Sequence, residues 1–215
     1  MKASKDIEIE RARVDELYCY ERDLAVRGFN LVAGMDEAGR GPLAGPVAAA
    51  AVILPLGVFI PGLNDSKLIP GVKRELLAEQ IKNVCVSWAV AMVHPEDIDR
   101  VNILQATLMA MREAVARLTV PPRHLIIDAL RVPGLDIPQM SLVGGDRLSA
   151  SVAAASILAK VARDRVMQEW DAVYPVYGFA RHKGYPTPDH LEILKVYGPC
   201  PLHRKTFKGV KELLG

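Results

Sequence analysis

Four acids stand where carboxylates are expensive to keep. Asp36 and Glu37 are adjacent at the end of an apolar run, residues 31–35. Asp128 follows Leu125-Ile126-Ile127, and Asp146 follows Gly144-Gly145 just ahead of a long helical pattern. Two unit charges ~4 Å apart repel by roughly 4 kcal/mol at an effective dielectric of ~20. The adjacent pair therefore requires one protonated acid, side chains on opposite faces of a strand, or a bound cation. Gathered at one end of a sheet, all four would suit hard divalent ions such as Mg²⁺ or Mn²⁺. Two such ions suit hydrolysis of a phosphodiester. Taken singly, each acid has an ordinary reading: Asp146 as a helix cap, Asp128 as a solvent contact, Asp36-Glu37 as a salt-bridged pair. The apolar run before Asp128 weighs against the solvent contact.

A glycine–arginine–glycine turn, Gly39-Arg40-Gly41, follows the first acids. Its spacing to Gly45 is not the dinucleotide fingerprint, and a strand pattern follows where that motif needs a helix. Its backbone amides could contact a sugar hydroxyl or a phosphate closely, or the turn could be a tight linker. Tyr185 lies in a basic loop with Arg181, His182 and Lys183, where an aromatic ring can stack on a sugar or base while neighbours bind phosphate, although by itself a solvated basic loop with one anchoring tyrosine is the more ordinary reading. Ser66-Lys67 reads as a turn before a helix, and Lys160 as a surface lysine on one. Cys200 and His203 make half of a metal-ligand pattern with no second half.

The elements that must carry these residues follow from hydrophobic periodicity. An amphipathic helix is expected at about 11–27, stopped by Gly28, and strands at 31–37 and 47–54. The link between those strands is too short for a helical crossover, so they should pair antiparallel. A loop at 55–70 leads to a helix at 73–83, a strand at 85–93 and one helix from Pro95 to about residue 118. Strands at 124–130 and 139–143 precede the longest helix, about 148–170. Its stripe runs Leu148, Val152, Ala155, Ala159, Ala162 and Val166, with Ser149, Ser156, Lys160 and Arg163 on another flank. A loop at 174–188 and two short helices near 189–196 and 207–213 finish the chain. The pattern implies a mixed α/β sheet with helices on both faces.

Half of the 215 residues are hydrophobic and 24% are charged, enough for a core and against disorder. The net charge is only +2, but residues 181–215 hold seven Lys/Arg against three acids, so a phosphate-facing surface belongs there. Three scattered cysteines without a CxxC pair argue against a disulfide framework and fit a reducing cytoplasm. The charged first 28 residues are not those of a secretory leader. The uncharged stretch 41–63 is cut by prolines at 42, 46, 55 and 61, leaving too short a run to span a bilayer.

Seven segments resemble, in content and order, those of the type 2 ribonucleases H, most closely the bacterial ribonuclease HII family. They are AGMDEAGRGPLAGPV (33–47), LNDSK (63–67), LIIDA (125–129), GGD (144–146), VAAASILAKVARD (152–164), YGFARHKGYPT (177–187) and HRKTF (203–207). The resemblance implies an RNase H-like fold: a five-stranded mixed sheet flanked by helices, with a small C-terminal helical extension. It implies a catalytic domain at 1–175 and a basic segment at 176–215 packing beside the active site. It implies cleavage of RNA paired to DNA and cutting 5′ of single ribonucleotides in duplex DNA, leaving 3′-hydroxyl and 5′-phosphate ends. Asp36, Glu37, Asp128 and Asp146 take the catalytic, metal-binding positions for two Mg²⁺ or Mn²⁺ ions. Gly39, Arg40 and Gly41 take the turn that contacts the 2′-hydroxyl, and Tyr185 the ring that packs on the sugar. Ser66, Lys67 and Lys160 take phosphate contacts. A cytoplasmic monomer with no membrane and no obligate protein partner is expected. Alternatives are a nuclease or strand-transferase of the same fold acting on DNA alone, or a silent binding domain. Two departures stand out: Leu68 where a second lysine is common, and Ala129 where glycine is common, a change expected to touch packing. No sliding-clamp-binding tail is apparent before Gly215.

Overall fold

The computed structural model describes residues 2–214. Five strands, β1 (Val32–Ala38), β2 (Val47–Ile53), β3 (Ser87–Val93), β4 (His124–Asp128) and β5 (Gln139–Leu142), form one sheet in the order β3-β2-β1-β4-β5. The β1–β2 and β2–β3 pairs are antiparallel, while β1–β4 and β4–β5 are parallel. Because β1 and β4 run side by side in the same direction, their C-terminal ends lie at one edge. The last pair of that ladder is Met35 with Ile127, and the next residue on each strand is an aspartate.

Helices cover both faces. α6 (Ala150–Val173) lies across β1 and β2 with α3 (Gly71–Val84), closing a core around Ala50, Val52, Ala153 and Ile157. α4 (Pro95–Val101) and α5 (Ile103–Ala116) close the opposite face around Ala49, Ile53, Met111 and Leu125. β2 is therefore buried along its whole length, which is why Val-Ala-Ala-Ala-Ala-Val-Ile shows no polar alternation. α6 settles directly on β1 because Gly34 has no side chain: a methyl group there would overlap the backbone of Ser151 and Val152. Buried Glu21, on α2 (Cys19–Val26), accepts from Ser149 Oγ at 2.6 Å and from the Ser151 amide at 2.9 Å. An acid there also complements the positive end of the α6 dipole.

Several expected boundaries move. The helix expected at about 11–27 is two, α1 (Lys2–Glu16) and α2, because Tyr18 turns into the core and its hydroxyl donates to the Val58 carbonyl at 2.9 Å. The helix expected from 95 to 118 breaks at Asn102, whose left-handed backbone (φ 71°) frees its side chain to cap α5 through the Gln105 amide. β4 stops at Asp128 because Ala129 has φ 49°. The departure from glycine at that position therefore bears on backbone conformation, at about 1–2 kcal/mol for a residue with a Cβ. The long helix begins at Ala150, capped by Ser149, and the expected stripe residue Leu148 is exposed. The loop at 174–188 holds a 3-10 turn, Pro175–Tyr177, and α7 (Phe179–His182). The expected helix at 189–196 is α8 (Pro188–Tyr197), and the one at 207–213 shrinks to a 3-10 turn, Lys211–Leu213.

The C-terminal segment folds back over residues 43–45. Gly184 and Leu202 accept from the Leu43 and Gly45 amides, and the Arg204 amide donates to Leu43. No helix among the described residues is long and apolar enough to cross a membrane.

Candidate active site

A cleft of about 210 Å³ opens where β1 and β4 end. Asp36, Glu37 and Asp128 line its floor, residues 38–41 one wall, and Ser66, Lys67, Ser156, Lys160 and Tyr185 the remainder. The strand register brings the acids together: Asp36 and Asp128 leave parallel neighbours at the same level. Asp36 is almost fully buried, and its Oδ1 accepts from the Glu37 amide at 2.7 Å. Burial pushes its carboxyl well above the usual carboxylate range, with Glu37 and Asp128 adding repulsion. Burial also raises Glu37, although Arg40 opposes it from 3.3 Å. Glu37 Oε2 is buried with no hydrogen-bond partner among the described residues.

Asp146 stands one step back, in the 3-10 turn Gly145–Arg147, and does not cap α6. Its Oδ2 lies 3.7 Å from Lys67 Nζ, and its carboxyl is raised by burial and by nearby Asp65, with Lys67 pulling the other way. It is tied to the rest through Asp128, whose Oδ1 accepts from the Gly145 amide at 2.7 Å. Among the described residues, no three acidic, histidine or cysteine side chains are gathered closely enough to hold an ion as they stand. The donor set nevertheless fits a hard divalent cation. Its oxygens are carboxylate, one of them is orphaned in the interior, and burial raises Asp36 and Glu37, a cost that a bound cation would offset.

The remaining expected residues divide. Ser66 is buried and accepts from Ser156 Oγ at 2.7 Å. Lys160 is a cleft residue, paired with Asp164 at 2.6 Å, where a surface lysine was expected. In the basic loop, only Tyr185 lines the cleft. Arg181 pairs with Asp189 at 2.6 Å, Lys183 donates to the Ala180 carbonyl, and His182 is buried. Asp65 was missed by sequence reasoning. Buried beside Asp146, it accepts from the Lys67 amide at 2.9 Å, and the Asn-Asp-Ser turn signature was its available signal. Arg163 and Arg204 were also missed. Both are fully buried behind residues 39–46.

A mixed sheet of this order, with three antiparallel strands continued by two parallel ones and an acid-lined cleft at the central strand ends, is the RNase H-like architecture of nucleic-acid hydrolases. Pyrococcus horikoshii ribonuclease H2 shares it, with TM-score 0.71 at 27% identity, over 85% of this chain and 96% of that one. So does the ribonuclease HII of a PCNA:RNase HII complex from Archaeoglobus fulgidus, with TM-score 0.69 at 27% identity over 83% and 95%. The Ribonuclease HII family profile matches residues 33–210. Ribonuclease HII of Moorella thermoacetica is 57% identical over 93% of this chain and 97% of its own. That of Caldanaerobacter subterraneus subsp. tengcongensis is 51% identical over 94% and 83%. The chain belongs to the ribonuclease HII family and is a ribonuclease H, an endonuclease hydrolysing the RNA of RNA–DNA hybrids.

Proposed function

We propose that this enzyme also cuts duplex DNA on the 5′ side of a single embedded ribonucleotide, leaving 3′-hydroxyl and 5′-phosphate ends, and so starts ribonucleotide removal. The observation carrying this reading is that the 39–41 turn and Tyr185 line the same cleft as Asp36, Glu37 and Asp128. Asp36, Glu37, Asp128 and Asp146 would hold two divalent ions, Mg²⁺ or Mn²⁺. A more distant structural relative, the Bst ribonuclease HIII, is known in complex with Mn²⁺. When bound, such ions supply activation of water and stabilisation of the leaving oxygen. Asp146, 3.7 Å from Lys67 Nζ, would complete the set with the other three, and the four carboxylates would position the ions rather than attack.

Recognition falls to the turn and to Tyr185. The 2′-hydroxyl is what distinguishes RNA from DNA at a given sugar, and backbone amides near Gly39–Gly41 read it without reading base identity. Tyr185 packs on the sugar beyond the junction. Ser66, Lys67 and Lys160 contact backbone phosphates, which is consistent with their place on the cleft wall. Residues 176–215 form a basic flank to a catalytic unit at 1–175.

The test is a labelled duplex carrying one ribonucleotide, incubated with and without Mg²⁺ or Mn²⁺. Cleavage should occur 5′ of the ribonucleotide, stop with chelator, and fall by more than a hundredfold in Asp36→Asn and Asp128→Asn while binding survives. Equal cleavage of an all-deoxy duplex would overturn the substrate reading in favour of a DNA nuclease. Retained activity in either variant would overturn the metal site.

A further inference from the structure

Behind the 39–46 turn lie two buried guanidinium groups without a carboxylate partner among the described residues. Arg204 donates from Nη2 to the Gly39 carbonyl at 2.6 Å, from Nη1 to the Arg40 carbonyl at 3.0 Å and from Nε to the Gly45 carbonyl at 3.0 Å. Arg163, on α6, donates to the Pro46 carbonyl at 2.9 Å and the Ala44 carbonyl at 3.0 Å. The acids that act on them from further away are engaged elsewhere. Asp164 pairs with Lys160 and Arg74, and Asp99 accepts from Lys205 and Thr206. Arg163 Nη1 is buried with no hydrogen-bond partner among the described residues. Gly39 (φ 96°) is bare because the Arg163 side chain occupies the place of a Cβ.

A trans peptide is planar, so its N–H points opposite to its C=O. No cis peptide occurs among the described residues. The Gly39 carbonyl shares a peptide with the Arg40 amide, and the Arg40 carbonyl shares one with the Gly41 amide. Drawing both carbonyls back onto Arg204 therefore turns both amides forward, toward the cleft that residues 38–41 line. Two interior cations with no carboxylate in direct contact among the described residues add a field on that side that favours an anion.

We infer that Arg204, backed by Arg163, is the positioning residue that sets ribonucleotide specificity. It holds the Arg40 and Gly41 amides as paired donors toward a ribose 2′-hydroxyl and the adjoining phosphate. This rests on the reading that the turn contacts the ribonucleotide. Lysine keeps the charge but cannot bridge three carbonyls as the rigid fork does.

Steady-state cleavage of the single-ribonucleotide duplex, with the all-deoxy duplex as competitor, tests it for the wild type, Arg204→Lys and Arg163→Lys. Arg204→Lys should raise KM for the ribonucleotide duplex about tenfold, the scale of one charge-assisted hydrogen bond. It should leave kcat and the competitor's inhibition constant within about twofold, a split that partial unfolding does not produce. Arg163→Lys should move KM in the same direction by less. A fall in kcat with unchanged KM, or equal weakening of both duplexes, would overturn the assignment. If Arg204→Lys does not fold, Arg163→Lys is judged by the same outcomes. A wild type that binds both duplexes equally would instead overturn the turn's reading of the sugar.

Discussion

Tyr185 stands at the lip of the cleft, 41% exposed, with Lys160 Nζ and Arg163 Cζ about 6 Å from its ring. Its carbonyl accepts from the His190 ring, so the main chain is fixed while the ring stays open to a ligand. A ring packed on a nucleotide's sugar, on the scale of base–aromatic stacking, is worth roughly 1–3 kcal/mol. Tyr185→Ala should therefore slow cleavage at a single ribonucleotide about tenfold or more, with a long hybrid, held by more contacts, less affected. Parallel time courses on the two substrates check it, and equal losses would count against stacking. At this scale Asp36, Glu37 and Asp128 were legible because an acid ending a buried apolar run has no ordinary reason to be there. Arg163 and Arg204 were not legible. A charged residue in a helical pattern or a basic tail is assigned to the surface by default, and only the folded carbonyls of residues 39–46 reveal what binds these two.

The pairing of β1 with α6 sets how closely the helix can approach the sheet, and Gly34 sits at the contact. Gly34→Ala would drive a methyl group into the Ser151–Val152 peptide, where backbone cannot yield as a flexible side chain can. Overpacking of this kind costs about 1–3 kcal/mol. The variant should show a lower urea midpoint at neutral pH with an unchanged slope, and a midpoint matching the wild type would overturn the contact. Strand and helix types followed readily from periodicity, including β2, whose small residues serve two buried faces. The breaks did not. Asn102 interrupts a continuous apolar spacing through one left-handed residue, and Tyr18 leaves its helix to reach Val58, forty residues on. Both are decided by tertiary contacts that no local pattern carries. The parallel pairing of β1 with β4 was conditional in sequence terms, yet it brings Asp36 and Asp128, distant in the chain, to one cleft.

Across the whole molecule, a chain of neutral histidines fastens the C-terminal segment to the cleft. The Cys200 amide donates to His203 Nδ1, which leaves His203 Nε2 to donate to His190 Nε2 at 3.0 Å, and His190 Nδ1 to donate to Tyr185. The first two bonds need a neutral ring, because His203 Nδ1 and His190 Nε2 accept in them. Burial pushes His190 and His203 down to about 4, and lowers His182, stacked on His190. Above the ordinary value of 6.5 both folded and unfolded chains are neutral here. Between 6.5 and about 4 the unfolded chain takes up protons that the folded one refuses, so this contribution is lost as pH falls. The raised carboxyls of Asp36, Glu37 and Asp146 act in the opposite sense. The histidine effect is therefore read as a difference. His190→Asn should melt below the wild type at pH 7.5, with the gap narrowing toward pH 4.5. A constant gap would refute the neutral relay. The brace on the glycine turn has a further consequence, in time. Arg40 and Arg204 are 164 positions apart. At ordinary rates of synthesis the turn is made roughly 10–30 s before the residue that holds it. Until then a growing chain that already carries Asp36, Glu37, Asp128 and Asp146 lacks the residue that, on the proposal above, aims its turn at a ribonucleotide, so selectivity would come only once Arg204 has emerged.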